Sequence, residues 1–173
     1  MRLRVQVKRI LLTLATLGWM GLIFGFSSDT AEESAGLSAM VCRFLAGYFM
    51  KGFENFSPAE QDRIVAGMQY FVRKGAHVTE YMILGILLVL TLLAYGVRRA
   101  HIPALCAGAI YAALDEYHQR FVSGRSGEVK DVLIDTCGVL LGLLAAFGAG
   151  CLIQIIKEKG NQKRTEEAGP QVN

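Results

Sequence analysis

The residues best suited to chemistry lie in the stretch DEYHQRFVSGRSGEVKDVLID, residues 115–135, which carries eight formal charges in 21 positions. A second polar group lies in FVRKGAHVTEYMILG, residues 71–85. Arginine and lysine bind phosphate or carboxylate groups, while histidine and carboxylate side chains transfer protons. The two stretches therefore indicate either an anion-binding site or an acid–base site.

The spacing of these polar residues predicts that they share helix faces. Side chains four and seven positions apart lie on one side of an α-helix. Three stripes follow: Asp131, Asp135, Gly138 and Gly142; Asp115, Gln119, Gly108 and Ala112; and Lys74, His77 and Tyr81. Because glycine lets a neighbouring helix approach closely, we expect the stripes to face one another inside a helical bundle.

Four apolar segments must position these stripes, at about residues 10–26, 78–97, 102–121 and 132–156, in a chain that is 53% hydrophobic. A helix needs about 20 residues to cross a bilayer. The middle two segments reach this length only when their polar ends are included. The sequence thus predicts an all-α integral membrane protein, a four-helix transmembrane bundle that forms one domain over residues 1–156. The first segment also fits a signal peptide, although no A-x-A-like site follows it.

The basic residues predict the orientation of this bundle. Ten of them lie in the N-terminus, in the turn near residue 98 and in the tail from residue 157, against three acidic residues there. Lysine and arginine near helix ends stay in the cytoplasm. We therefore expect a multi-pass protein of the bacterial plasma membrane with both termini cytoplasmic. The polar tail, residues 157–173, is typical of a disordered segment.

The first outer loop contains two helix starts. TAEE at 30–33 and SPAE at 57–60 match the capping box, in which a hydroxyl side chain and a glutamate three residues later satisfy each other's backbone N–H. Apolar residues then recur at helical spacing, at Leu37, Val41, Phe44 and Tyr48 and at Ile64, Met68, Phe71 and Val72. We expect two amphipathic helices in this extracytoplasmic loop, on the membrane surface or over the bundle.

Three stretches resemble the VanZ-like family: FSSDTAEESAGLS, FVRKGAHVTEYMILG and DEYHQRFVSGRSGEVKDVLIDTCG. The family is named after a protein associated with low-level resistance to the glycopeptide teicoplanin. The resemblance implies an antibiotic-resistance role in the cell envelope, with a membrane lipid, a lipid-linked cell-wall precursor or a membrane protein as partner.

Ten residues are the candidates for a ligand-binding pocket: Lys74, His77, Glu80, Tyr81, Asp115, Glu116, Gln119, Arg125, Asp131 and Asp135. In the first interpretation Arg125 and Lys74 hold a phosphate or carboxylate, and Asp131 and Asp135 orient them, without catalysis. The alternatives are mutual ion pairing that only joins the helices, an accessory subunit of another membrane protein, and a membrane enzyme acting on a lipid-linked phosphate or ester.

The enzyme hypothesis would use His77 or His118 as a base. The sequence contains no G-x-S-x-G, H-E-x-x-H or P-loop motif, which favours binding over catalysis, and it assigns no catalytic residue. Four cysteines without a C-x-x-C pair do not indicate a disulfide framework or a thiolate metal site. We expect no metal, no cofactor and no nucleic-acid partner.

Overall fold

The computed structural model describes residues 2–167, with side chains for residues 2–161. Within this range the chain is all-helical, without strands. The elements are α1 (Arg2–Ser28), α2 (Ala31–Phe49), a 3-10 helix (Phe53–Asn55), α3 (Pro58–Ala94), α4 (His101–Gln119) and α5 (Val129–Glu167).

Both predicted capping boxes are confirmed. The Thr30 side chain accepts from the Glu33 backbone N–H, and the Glu33 carboxylate accepts from the Thr30 N–H in return. Ser57 and Glu60 form the same pair at the start of α3, where Pro58 occupies the first turn. Because Glu33 accepts two hydrogen bonds from Thr30, its pKa is lowered from the ordinary glutamate value.

The prediction of a second, separate surface helix is wrong. The helix that begins after Ser57 continues without a break to Ala94, so it includes most of the expected crossing 78–97. No proline follows Pro58 before residue 103, and Gly75 alone does not end a helix. With 37 residues, α3 is about 55 Å long, well above the ~30 Å of a hydrocarbon core.

Helix α2 packs through a face that the apolar pattern does not show. Its buried residues are the small Ser38, Cys42 and Ala46. Cys42 and Ala46 form a cluster with Phe53 and Val65 of the following elements. The four large residues that recur at helical spacing are exposed, from 45% at Val41 to 76% at Tyr48. An exposed apolar face of this kind is typical of a helix lying on a membrane surface.

The four long helices α1, α3, α4 and α5 form a bundle in which each runs in the opposite direction to the one before it. Arg9 Nε of α1 donates to the Ala94 carbonyl at the end of α3 (2.9 Å), and Trp19 Nε1 donates to the Glu80 carbonyl (2.9 Å). The Tyr111 hydroxyl of α4 donates to the Met20 carbonyl (2.6 Å). These contacts place the beginning of α1 beside the end of α3, and the end of α1 beside the polar residues.

Glycines bring α5 against its neighbours, as the stripes predict. A Cβ atom at Gly138 would lie 2.6 Å from the Val78 carbonyl oxygen, and one at Gly142 would overlap the Met82 carbonyl oxygen. In α4, a Cβ at Gly108 would lie 2.7 Å from the side chain of Val139. The α3–α5 contact therefore depends on backbone surfaces that only glycine leaves free.

Three helices are long and apolar enough to cross a membrane, namely α1, α3 and the Val129–Asn161 part of α5. The 19-residue α4 is not among them, so only three of the four expected crossings are supported by length and composition. Helix α5 also continues into the predicted disordered tail, because residues 157–167 are helical. The remainder of that tail, 168–173, lies outside the described residues.

Candidate ligand-binding site

A polar cavity of about 190 Å³ lies where α3, α4, the 120–128 loop and α5 meet. Six of the ten predicted candidates line it: Lys74, His77, Glu116, Gln119, Arg125 and Asp131. Its polar wall is completed by Tyr70, Arg73, Ser126 and Glu128. We call this space the polar cavity. A water molecule occupies about 30 Å³ of liquid, so the polar cavity has room for a small head group or several waters.

The loop that carries Arg125 is shaped by two glycines. Gly124 has a φ of +73°, a left-handed conformation that glycine adopts without strain. A Cβ at Gly127 would overlap the Glu116 carbonyl oxygen, so this part of the loop packs directly on α4. The Ser123 carbonyl accepts a hydrogen bond from the Ala31 N–H (3.1 Å), which joins the loop to the start of α2.

Arg125 is oriented by backbone carbonyls at the end of α1. Its Nε donates to the Asp29 oxygen (3.0 Å) and one Nη donates to the Phe26 oxygen (3.1 Å). The hypothesis that Asp131 and Asp135 orient Arg125 is therefore wrong. Partial burial and the nearby Arg73 guanidinium lower the pKa of Arg125 from its ordinary value, because both disfavour a positive charge there.

Lys74 is paired inside the polar cavity. Its Nζ lies 2.5 Å from Asp131 Oδ1, and both side chains are mostly buried, with 23% and 16% exposed. Arg73 differs from its neighbour, because among the described residues its side chain makes no hydrogen bond and no ion pair. The cavity thus contains one neutralised cation, Lys74, and two half-buried guanidiniums, Arg73 and Arg125, without an acidic partner among the described residues.

A buried hydrogen-bond group lies beside the polar cavity. Asp115 Oδ2 accepts from the Ser27 hydroxyl (2.8 Å) and from the Tyr81 hydroxyl (3.1 Å), and Gln119 Nε2 donates to the same Ser27 hydroxyl (3.2 Å). All four residues are at least 96% buried. The group joins α1, α3 and α4 at one level of the bundle.

Several buried acceptors have no protein partner. His77 Nδ1 lies 3.6 Å from Asp135 Oδ1, too far for a hydrogen bond. Neither carboxylate oxygen of Asp135, which is 1% exposed, has a partner among the described residues. Glu116 Oε2 accepts from the Glu128 N–H (3.1 Å), whereas its Oε1 has none within that part of the chain. Such orphaned acceptors are costly unless a ligand or water donates to them.

A second cavity of about 190 Å³ adjoins the first and also has Arg73, His77 and Arg125 in its wall. Its apolar lining consists of Phe26 of α1, Leu37 and Val41 of α2, and Val72 and Ala76 of α3, and its polar lining includes Ser27, Asp29, Ser34 and Ser38. Glu80 also borders it. We call this second cavity the apolar groove.

In a comparison with protein families, the VanZ/LLP1 profile matches residues 12–153 of the chain. The chain belongs to the VanZ/LLP1 family. All residues of the polar cavity and the apolar groove lie within the matched range. Comparisons with curated proteins and with solved structures give no significant match.

Of the ten predicted candidates in this VanZ/LLP1 protein, seven line one or both of these spaces and three do not. Six line the polar cavity, and Glu80 borders the apolar groove. Tyr81, Asp115 and Asp135 are buried next to these spaces without lining either. Arg73, which lines both, is not among the ten, although its charge and its position next to Lys74 are visible in the sequence.

The second histidine candidate has a packing role. His118 stacks on Phe24 of α1, with ring centroids 4.5 Å apart, and its Nε2 lies 3.2 Å from the Ser28 hydroxyl. It lines neither the polar cavity nor the apolar groove. Of the two candidate bases, only His77 faces a space where a ligand could bind. Within the described residues, no group of three or more His, Cys, Asp or Glu side chains is arranged to hold a metal ion.

Proposed function

We propose that this VanZ/LLP1 protein crosses the bacterial plasma membrane four times, with both termini in the cytoplasm. Its polar cavity then opens towards the outer face and binds the anionic part of a lipid-linked or cell-wall ligand. Binding changes how that ligand is presented, and thereby the susceptibility of the cell to teicoplanin.

The fourth crossing is supported by how α4 packs. At 19 residues α4 is about 28 Å long, close to the ~30 Å of a hydrocarbon core. Its inward face consists of Ala104, Gly108, Ala112, Asp115 and Gln119, all buried, whereas Ile102, Ile110 and Leu114 are at least 60% exposed. Polar residues turned inward and aliphatic residues turned outward are what a membrane-spanning helix requires.

The binding function is carried by one observation: Arg73 and Arg125 both line the polar cavity, and neither has a carboxylate within 4.0 Å. A partly buried guanidinium without an acidic partner loses some of its hydration and gains no ion pair in return. A phosphate or carboxylate ligand offsets that cost through charge-assisted hydrogen bonds. Purely structural ion pairing would instead neutralise both guanidiniums, as it does Lys74.

The test uses Arg73→Gln, because Arg73 makes no contact that the fold needs among the described residues. In cells that depend on this protein for teicoplanin tolerance, we expect the variant to lose the tolerance while its membrane level stays unchanged. The matched control is Arg63→Gln, an exposed arginine on the same helix outside both cavities. Tolerance that persists in Arg73→Gln at wild-type level would reject the proposal and favour an accessory structural role.

A second candidate function is favoured by the proximity of His77 to Asp135. Nδ1 lies 3.6 Å from the carboxylate, too far for a hydrogen bond here, but catalytic hydrogen bonds often tighten only when substrate binds; the other nitrogen would then act as a base on a bound ester or phosphate. In this reading purified protein hydrolyses a lipid-linked phosphate, and His77→Gln abolishes turnover while leaving substrate affinity intact. Absence of turnover across phosphate and ester lipids would leave binding as the function.

A further inference from the structure

The polar cavity and the apolar groove share a wall formed by Arg73, His77 and Arg125. On one side of this wall the lining is polar, whereas on the other it includes five aliphatic and aromatic side chains together with three serines and two carboxylates. One ligand that contacts the shared wall would therefore meet cationic groups at one end and hydrocarbon at the other. That combination fits an amphiphile better than a sugar, a peptide or an inorganic ion.

The apolar groove opens beside α2. Leu37 and Val41 of α2 line it and are 52% and 45% exposed, so a chain that lies along them can leave the groove towards the surroundings. The other large residues of this α2 face, Phe44 and Tyr48, are also exposed, at 72% and 76%. A lipid could thus enter sideways along the apolar face of α2 without crossing the polar loop.

We propose that the protein binds a lipid with an anionic phosphate head, whose phosphate lies between Arg73 and Arg125 and whose hydrocarbon chain occupies the apolar groove. This inference rests on the proposed binding function and names the class of its ligand.

No described carboxylate lies within ion-pair distance of either guanidinium of the shared wall. In the polar cavity, Asp131 is paired with Lys74, Glu116 accepts the Glu128 N–H, and Glu128 accepts from the Ser126 hydroxyl (3.4 Å). On the groove side, the carboxylates of Asp29 and Glu80 also form no ion pair with Arg73 or Arg125. The two arginines therefore remain available for phosphate oxygens, and Arg125 keeps a fixed orientation through Phe26 and Asp29.

Trp19, the only tryptophan, provides the measurement because its Nε1 donates to the Glu80 carbonyl next to the groove. Its fluorescence is titrated in full-length protein in a non-ionic detergent with dioleoylphosphatidic acid, dioleoylglycerol or glycerol 3-phosphate. We expect phosphatidic acid to bind at least tenfold more tightly than either of the others, because each lacks one half of the ligand. Equal affinity for phosphatidic acid and dioleoylglycerol, or for phosphatidic acid and glycerol 3-phosphate, would overturn the inference.

Two variants test separately the contacts to the lipid's phosphate head and to its hydrocarbon chain. Arg73→Gln removes a charge-assisted contact and should weaken phosphatidic acid binding about tenfold or more. Leu37→Asn should weaken phosphatidic acid binding but leave glycerol 3-phosphate unchanged. Arg63→Gln and Met40→Asn are the matched controls, since both residues are exposed on the same helices outside the two cavities. An Arg73→Gln protein that keeps wild-type affinity for phosphatidic acid would contradict the assignment.

Failure of this inference is distinguishable from failure of the proposed function. If Arg73→Gln abolishes teicoplanin tolerance but wild-type protein does not prefer phosphatidic acid, the ligand class is wrong and the binding function stands. If the variant leaves tolerance intact, the proposed function itself is rejected.

Discussion

Asp115 connects three helices through a single oxygen atom. Its Oδ2 accepts from Ser27 of α1 and Tyr81 of α3, whereas its Oδ1 has no partner among the described residues. Hydrogen bonds to a charged acceptor are stronger than those between neutral groups. The carboxylate therefore acts as a common acceptor that fixes α1, α3 and α4 beneath the polar cavity.

Tyr81→Phe tests this role without changing the packing of the ring. We expect the folded protein to lose about 1 kcal/mol of unfolding free energy, the typical value of one buried hydrogen bond. The measurement is denaturant-induced unfolding in detergent micelles. Tyr117→Phe is the control, because Tyr117 is 60% exposed and its hydroxyl makes no hydrogen bond in the described part of the chain. Equal losses in both variants would show that the Tyr81–Asp115 bond contributes nothing specific.

For some single residues the sequence alone is sufficient to predict burial. The burial of Asp115, Gln119 and Asp135 follows from their alignment with glycine and alanine on helix faces. The partners of Arg125 do not follow, because the carbonyls of Phe26 and Asp29 become available only where α1 ends. Arg73 could have been identified from its charge, but its lack of a partner depends on the tertiary structure.

At the scale of elements, α5 is positioned by close backbone contact. Gly138 and Gly142 lie against the Val78 and Met82 carbonyls of α3, and Val139 fills the space between Gly85 of α3 and Gly108 of α4. Asp131 and Asp135 are on the same side of α5. The contact that packs the helix therefore also directs its acids towards α3.

Gly142→Ala should separate α3 from α5 and cost about 1–3 kcal/mol, because the added methyl group would overlap the Met82 carbonyl. Gly148→Ala is the matched control. Its Cβ would meet nothing within 4 Å, and alanine favours the helix by up to about 1 kcal/mol. Thermal unfolding of the two purified proteins should shift in opposite directions. A destabilised Gly148→Ala and an unaffected Gly142→Ala would contradict the glycine contact.

The elements also show what the sequence predicts less well. Capping boxes at Thr30 and Ser57 fix where α2 and α3 begin, since they depend only on residues three apart. The sequence did not predict that α3 is one continuous helix. The side of the helix that carries the apolar residues changes between the predicted surface helix and the predicted crossing, and such a change resembles the end of one helix and the start of another. Hydrophobic periodicity, which selects large residues, does not indicate that α2 packs on its neighbours through the small Ser38, Cys42 and Ala46.

At the scale of the whole molecule, the basic N-terminus, the basic turn near residue 98 and the polar cavity are not at the same end: the first two lie opposite the third. Arg9 contacts the end of α3, and His101 contacts Phe147 of α5, with ring centroids 6.0 Å apart. The beginning of α1, the turn with Arg98 and Arg99 and the C-terminal part of α5 are therefore at one end. The positive-inside rule then predicts that the polar cavity faces outwards.

Cysteine labelling tests this orientation. Cys42 is fully buried and unsuited as a reporter, so Lys51→Cys and Lys157→Cys are introduced separately after the four natural cysteines are replaced by alanine. Both positions are exposed. In intact cells we expect a membrane-impermeant maleimide to label only the Lys51→Cys protein, and in permeabilised cells both. The reverse pattern would invert the topology and place the polar cavity in the cytoplasm.

Because α3 is one continuous helix, homologous chains should tolerate few changes in its length. Val65 packs against α2, and Lys74 and His77 of the same helix reach the polar cavity. Each residue turns a helix by about 100°, so one residue inserted between Val65 and Lys74 would rotate the docking surface for α2 out of phase with the cationic wall. Homologous chains should therefore keep this segment at constant length, and place their insertions in the connections between helices.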